Sequence, residues 1–245
     1  MTSSESPDAV LVMQQASRSH GDGGERVDAL VDVDMGVAAG ELVAITGRSG
    51  SGKSTLVNLA GGLDQPTGGR VLVDGIDLGG ESPKALAEIR RRHVGYVFQN
   101  LNLLPTLTAA ENVALPLEFD GIRPAPALAA AREALGRVGL NDLAGRYPDE
   151  MSGGQRQRVA IARAVVGPRR LILADEPTGA LDELTGEAVV SLLVHLASEG
   201  AAVVLVTHDP GLAAYAHRVI RLRDGRIDQV TERSAVPPTP EELRV

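Results

Sequence analysis

One stretch constrains this chain more than any other: Gly47-Arg48-Ser49-Gly50-Ser51-Gly52-Lys53-Ser54-Thr55. It fits the pattern G-x-x-x-x-G-K-[ST], follows the apolar run Leu42-Val43-Ala44-Ile45 and precedes helix-forming sequence. Glycines allow the backbone to wrap closely around an anion with its N–H groups turned inward. Lys53 has the reach and charge for the outer phosphates of a nucleotide, and the Ser54 hydroxyl suits Mg²⁺, which takes oxygen ligands. Such a loop works where a buried strand delivers the chain and a helix carries it away. The pattern therefore predicts a strand–loop–helix unit inside an α/β fold.

The rest of the chain agrees. Short apolar runs at 70–73, 94–98, 171–174 and 203–206 read as strands, and residues 53–60, 182–198 and 210–216 read as helices. That alternation predicts a largely parallel sheet covered by helices. Val31, Val33, Met35 and Val37 alternate with Asp32 and Asp34, which predicts a half-exposed strand in an antiparallel side sheet. The middle differs. Thr108-Ala109-Ala110-Glu111 is a capping-box pattern, helices are expected over 112–119, 125–138, 141–146 and 153–166, and no strand is read between Gln99 and Arg170. The predicted organisation is one domain over 9–230, with an α/β core at 9–99 and 167–230 and a helical subdomain over about 100–166. Residues 1–8 and 231–245 read as polar tails, the second carrying Pro237-Pro238 and Pro240.

Several residues carry chemistry in this arrangement. Asp175 and Glu176 end an apolar strand, where Asp175 suits a magnesium ion and Glu176 suits orienting an attacking water. His208 follows another parallel strand, on the edge where ligands bind in such sheets, and is placed to contact a γ-phosphate. Gln99 follows Val94-Gly95-Tyr96-Val97-Phe98, where core and helical lobe join, with an amide able to reach the metal or water. Ser152-Gly153-Gly154-Gln155 opens a helix. It reads both as a helix cap and as a second phosphate cradle, since a helix N-terminus leaves N–H groups bare. Arg90-Arg91-Arg92 closes a helix that begins near Pro83, where cations complement the dipole; without interleaved aromatics it gives no nucleic-acid signal. His93, His195 and His217 lack such context and read as surface or packing residues.

Taken together and in this order, these residues resemble the ATP-binding subunit of an ABC transporter. The resemblance spans nearly everything between the tails: the phosphate loop at 47–55, the glutamine loop at Gln99, the signature at Ser152-Gly153-Gly154-Gln155, the Asp175-Glu176 pair, Ala180-Leu181-Asp182 and the switch His208. Leu104-Pro105-Thr106-Leu107-Thr108-Ala109-Ala110-Glu111-Asn112-Val113, with Tyr147-Pro148, is similar to the lipoprotein-releasing, macrolide-export and cell-division subgroup. The resemblance implies a P-loop NTPase (RecA-like) core with an antiparallel side sheet and an inserted helical subdomain. It implies ATP and Mg²⁺ as ligands, with Ser54, Gln99 and Asp175 on the metal. Glu176, His208, Gln99 and Lys53 would carry catalysis. It also implies an ATP-dependent head-to-tail homodimer, in which the signature of one copy completes the site of the other and Asp182 lies near the seam. The implied partners are integral membrane permease subunits, contacted near residues 99–105.

Two departures stand out. Met151 opens the signature where Leu is usual, a nearly volume-conserving change. His20 holds the place of the usual adenine-stacking Tyr, and no Phe, Tyr or Trp precedes Tyr96. The expectation is weaker discrimination between bases.

Composition trims the alternatives. The net charge of −8 argues against a surface devoted to nucleic acid, and the chain has no cysteine for a disulfide, thiolate metal site or Cys nucleophile. No apolar run approaches the roughly 18 residues of a spanning helix, and the first residues lack signal-peptide character. The expectation is a protein at the cytoplasmic face of the membrane, held there through a partner. The leading function is ATP hydrolysis that drives a permease, for export or extraction from the membrane; the alternative is an ATP-driven mechanical signalling module. A nucleic-acid or ribosome-directed ABC ATPase is disfavoured, because such proteins usually carry two cassettes or a long coiled-coil insertion and neither is read in this sequence. A non-hydrolysing binder is disfavoured because Lys53, Glu176 and His208 are all in place.

Overall fold

The computed structural model describes residues 9–21 and 27–232. An antiparallel sheet contains β1 (Ala9–His20), β2 (Val27–Ala38), β4 (Gly68–Val73) and β5 (Ile76–Asp77), in the order β2-β1-β4-β5. The second sheet contains β3 (Leu42–Gly47), β6 (Val94–Val97), β7 (Leu171–Asp175), β8 (Ala202–Val206), β9 (Arg218–Arg223) and β10 (Arg226–Glu232). Its order is β10-β9-β3-β8-β7-β6, and β10 alone is antiparallel to its neighbour. The helices are α1 (Lys53–Ala60), α2 (Pro83–His93), α3 (Ala109–Phe119), α4 (Pro124–Arg137), α5 (Gly153–Val165), α6 (Glu183–Ser198) and α7 (Pro210–Ala213).

Period-two alternation sorts the central strands into two cores. Leu42 and Ala44 of β3, with Val203 and Leu205 of β8, face a cluster built from α3, α4, α5 and α6. Val43 and Ile45, with Val204 and Val206, face the other way, onto α1 and the antiparallel sheet. Both faces are covered, so these strands read as continuous apolar runs. On β2, Val33, Met35 and Val37 are buried while Asp32 and Asp34 are exposed, as the alternation predicts.

The helical lobe meets the core at a close backbone contact. A Cβ on Gly95 of β6 would lie 2.0 Å from the Ala164 carbonyl oxygen, so only glycine lets α5 pack at this depth. Gly69 plays the same part on the antiparallel sheet, with φ of 70° and a Cβ position 2.1 Å from Gln15 O.

The structure departs from the sequence reading at several points. The second tail was expected from Thr231, but Thr231 and Glu232 pair with Val219 and Arg218, so β10 runs through Glu232. The first tail, residues 1–8, lies outside the described residues. The helix expected over 141–146 shrinks to a 3₁₀ turn at Asn141–Leu143, and α7 stops at Ala213. Strands β1, β5, β9 and β10 were not anticipated. The Asp224-Gly225 turn between β9 and β10 is a hairpin signal that marks the last pair.

Candidate active site

Strands β3, β8, β7 and β6 run in one direction, so their carboxyl ends share one edge of the sheet. Ligands in open α/β sheets bind outside that edge. β3 ends in Gly47, Thr207-His208 follows β8, Glu176 follows β7, and Phe98-Gln99 follows β6. The strand order therefore sets phosphate loop, His208, Asp175-Glu176 and Gln99 side by side.

The loop that leaves β3 is shaped by its glycines. Gly47 and Gly52 have φ of 152° and 103°; a Cβ would lie 2.5 Å from Leu222 O and Ser51 Oγ at the first, and 2.5 Å from Ala29 O at the second. Lys53, almost fully buried, donates from Nζ to Gly47 O at 2.9 Å and to Arg48 O at 3.1 Å. Its ammonium is thus held inside the loop's own curve.

Behind the loop, the Ser54 hydroxyl lies close enough to the Asp175 carboxylate to favour its charged form. Burial pushes the Asp175 carboxyl above its ordinary range and the charge of Glu176 adds to the shift, while Ser54 and Lys53 oppose it. Two neighbouring hard oxygen groups, one of them a carboxylate disfavoured by desolvation, fit a divalent cation such as Mg²⁺. No group of three or more His, Asp or Glu side chains suited to a metal exists among the described residues. An ion held by Ser54 and Asp175 would need its remaining ligands from substrate oxygens and water, as Mg²⁺ commonly does.

Glu176 sits in the left-handed region, φ 46°, which is costly for a residue with a side chain. Its N–H donates to Val206 O at 3.0 Å, and its carbonyl accepts from Gly179 N–H at 3.2 Å. Oε1 lies 3.5 Å from Nδ1 of the exposed His208. Gln99 Nε2 and Glu176 Oε2 both lie 3.8 Å from the Cβ position of Gly179, so the two side chains converge above that glycine.

A cleft of about 470 Å³ lies between the phosphate loop, Glu176, His208 and residues Val27, Asp28 and Ala29 of β2; Ser49, Gly50, Lys53, Ser54 and Thr55 line it. His20 is exposed and pairs in register with Val27, an apolar rim residue that the sequence reading passed over. A larger cavity of about 710 Å³ shares Glu176 and His208 and extends past Asp182 to Tyr215.

Ser152, Gly153, Gly154 and Gln155 are not brought to this cleft. Ser152 Oγ accepts from Gln155 N–H at 3.2 Å and Gln155 Oε1 accepts from Ser152 N–H at 2.9 Å, so the cap reading holds. The first-turn N–H groups of Gly153 and Gly154 precede any intrahelical acceptor. Met151, buried, anchors the turn in the lobe's core. Asp182 caps α6, accepting from Thr185 N–H at 3.0 Å and Thr185 Oγ at 2.7 Å. His93 contacts Asp74, His217 accepts from Leu42 N–H, and exposed His195 lies near Glu199; the first two are packing residues and the third a surface one.

Two residues that shape this region were missed. Asn112, fully buried, accepts from Leu104 N–H and donates to the carbonyls of Leu104, Leu107 and Thr108, pinning the segment after Gln99. Arg163 donates to Leu101 O and Asn102 O, both at 2.6 Å. A lone amide in the apolar stripe of α3 was the available signal for the first.

The family profile described as ABC transporter matches residues 30–179, more than half of the chain. This chain belongs to the ABC transporter ATP-binding family. As a family member it is an ATPase. The macrolide-export arm of the subgroup resemblance returns among its relatives. The macrolide export ATP-binding/permease protein MacB of Salmonella paratyphi A is 49% identical over 219 residues, 89% of this chain and 34% of that protein. MacB of Escherichia coli strain K12 is 47% identical over 218 residues, again 89% and 34%. The ABC ATPase spans about a third of the length of these curated relatives. Its fold matches a solved dimeric bacterial ABC transporter cassette with a TM-score of 0.82 at 42% identity, covering 91% of this chain and 98% of that one. The same cassette, solved as a dimer in a post-hydrolysis state bound to ADP and Pi, matches equally. No helix among the described residues is long and apolar enough to cross a membrane.

Proposed function

We propose that two copies of this ATPase close head to tail around ATP, and that the closure drives an integral membrane permease from the cytoplasmic face, for export or extraction. The observation that carries the reading is that the functional residues form two half-sites. One is the cleft at the carboxyl edge of the sheet. The other is the Ser152 turn, which does not line that cleft and offers glycine N–H groups at a helix N-terminus. A second copy brings the missing half, supplying charge stabilisation of the kind an arginine finger gives elsewhere. The dimeric neighbour and the relatives named as export permeases support this reading.

In this reading Lys53 leaves its loop carbonyls for the outer phosphates. Ser54, Asp175 and Gln99 hold Mg²⁺, which neutralises phosphate charge when bound. Glu176 orients the attacking water, His208 reads the γ-phosphate, and Asp182 lies near the seam. His20 stands by the base. The groove after Gln99, shaped by Asn112 and Arg163, receives the permease.

Glu176→Gln is expected to keep ATP binding, accumulate an ATP-bound dimer, and lower turnover at least about 100-fold. Near-normal turnover removes Glu176 from its role. Ser152→Arg and Lys53→Ala, each inactive alone, are expected to regain one working site when mixed under conditions where mixed dimers are shown to form. No recovery counts against sharing between copies.

A further inference from the structure

The signature turn is locked to its neighbour. The Cβ position of Gly154 lies 2.5 Å from Thr185 Cγ2, and that of Gly153 lies 3.4 Å from Leu181 Cδ2. The starts of α5 and α6 therefore form one packed block. A partner copy that brings its Ser152 turn over the phosphate loop must carry its own Asp182, Glu183 and Leu184 to the rim of the same loop. This step rests on the head-to-tail reading.

That block is acidic and bare. Asp182, Glu183 and Glu187 are exposed, and Leu184 is 80% exposed. Asp182 is held below the usual carboxylate range by its bonds from Thr185. Glu183 and Glu187 have no ion pair among the described residues. Beside the phosphate loop the charge is opposite. A cleft of about 650 Å³ is lined by Arg48, Arg221 and Arg223 together with Ser51, Leu222 and Asp224. Arg223 lies 3.7 Å from Asp224, and Arg221 lies 3.7 Å from Asp228. Arg48 is exposed, and among the described residues its guanidinium has neither a carboxylate nor a hydrogen-bond partner.

We propose that this basic cleft receives the start of α6 from a second copy of the chain, with Arg48 pairing with the partner subunit's Glu183. Two-fold symmetry makes the contact twice per dimer, so a weak pair counts double. The pairing also selects against cassettes that lack the acidic turn, because like charges brought together at an interface are penalised. Arg48 thus serves recognition between copies, while its carbonyl remains part of the phosphate loop.

The test uses the full chain in the Glu176→Gln background, with ATP-dependent dimerisation followed by analytical ultracentrifugation at low salt. If that background forms no dimer with ATP, the head-to-tail reading itself fails, before the charge pair is addressed. Given a dimer, Glu183→Arg is expected to weaken it about tenfold or more, and Arg48→Glu combined with Glu183→Arg to restore most of the loss. Unchanged affinity in Glu183→Arg overturns the proposal. ATP binding by each monomer is measured alongside, since Arg48→Glu places a negative charge on the phosphate loop. Arg48→Ala and Glu183→Ala avoid that charge and close a double-mutant cycle. Non-additivity of about threefold or more supports the pair, and strict additivity overturns it.

Discussion

At the scale of single residues, the carboxyl edge of the sheet holds features that are unfavourable without a ligand. Asp175 is the clearest. Its folded pKa is raised by burial and by Glu176, so the fold favours the protonated form. Stability of the ligand-free protein therefore falls as pH rises from the ordinary Asp range through the raised value, and stays lowered above it. Asp175→Asn is expected to raise Tm without ligand by up to about 3 °C at neutral pH, while turnover collapses. A lowered Tm, read by calorimetry, would show that the carboxylate mainly supports structure. Glu176 adds backbone cost through its left-handed φ. The proposed place of His20 beside the base makes its own prediction. His20→Ala is expected to weaken ATP about fivefold, since an imidazole gives the lower end of aromatic stacking on a base. Equal ATP and GTP affinities before and after the change, by equilibrium dialysis, would exclude it from stacking.

At the scale of elements, two helices of the lobe start with the same device but with a different N3 group, a carboxylate in one and an amide in the other. α3 begins with Thr108 and Glu111, and α5 with Ser152 and Gln155, each pair bonded reciprocally. Glu111 titrates and Gln155 does not. The bonds from Thr108 N–H and hydroxyl hold the Glu111 carboxyl below its usual range. That contribution is complete above the ordinary Glu value and is lost as pH falls through the lowered one. Acidification from about pH 6 to 3 should shift the Thr108 amide resonance and leave that of Ser152 in place. Equal shifts at both would remove the distinction. These starts were legible in the sequence because a capping box is local. So were β3, β7 and β8, short apolar runs with both faces buried. β1 and β9 were not. A bulge at Gln15, with φ 48°, breaks the alternation of β1. In β9 the buried Arg218, bonded to Glu41 and Gly36 O, puts a charge where a core residue was sought. The Arg163 clamp was likewise invisible, because its partners are backbone carbonyls that no side-chain pattern announces, and the Asn112 clamp was marked only by a lone amide in an apolar stripe.

At the scale of the whole molecule, motifs far apart in sequence meet along one sheet edge, and that much followed from parallel strands; their order along it, phosphate loop, His208, Asp175-Glu176 and Gln99, is set by the crossovers and not by the sequence. The meeting of lobe and core did not, because it rests on the absence of a single methyl group. Gly95→Ala would drive a Cβ into the Ala164 carbonyl and is expected to cost about 2 kcal/mol or more, lowering the urea midpoint with m unchanged. A neutral result would mean that α5 moves aside freely. The same contact has a mechanical side. α5 touches β6 at Ala164 and carries Ser152 at its far end, about 18 Å away at 1.5 Å per residue. Turning the helix about this pivot by only about 5° sweeps the tip through roughly 1.6 Å, over half the length of a hydrogen bond. Because the start of α6 is packed against that tip, it moves with the helix, and the fulcrum lies inside the core. In the proposed head-to-tail dimer, a rotation too small to unseat Gly95 would be enough to make or break a bond to phosphate at the other end.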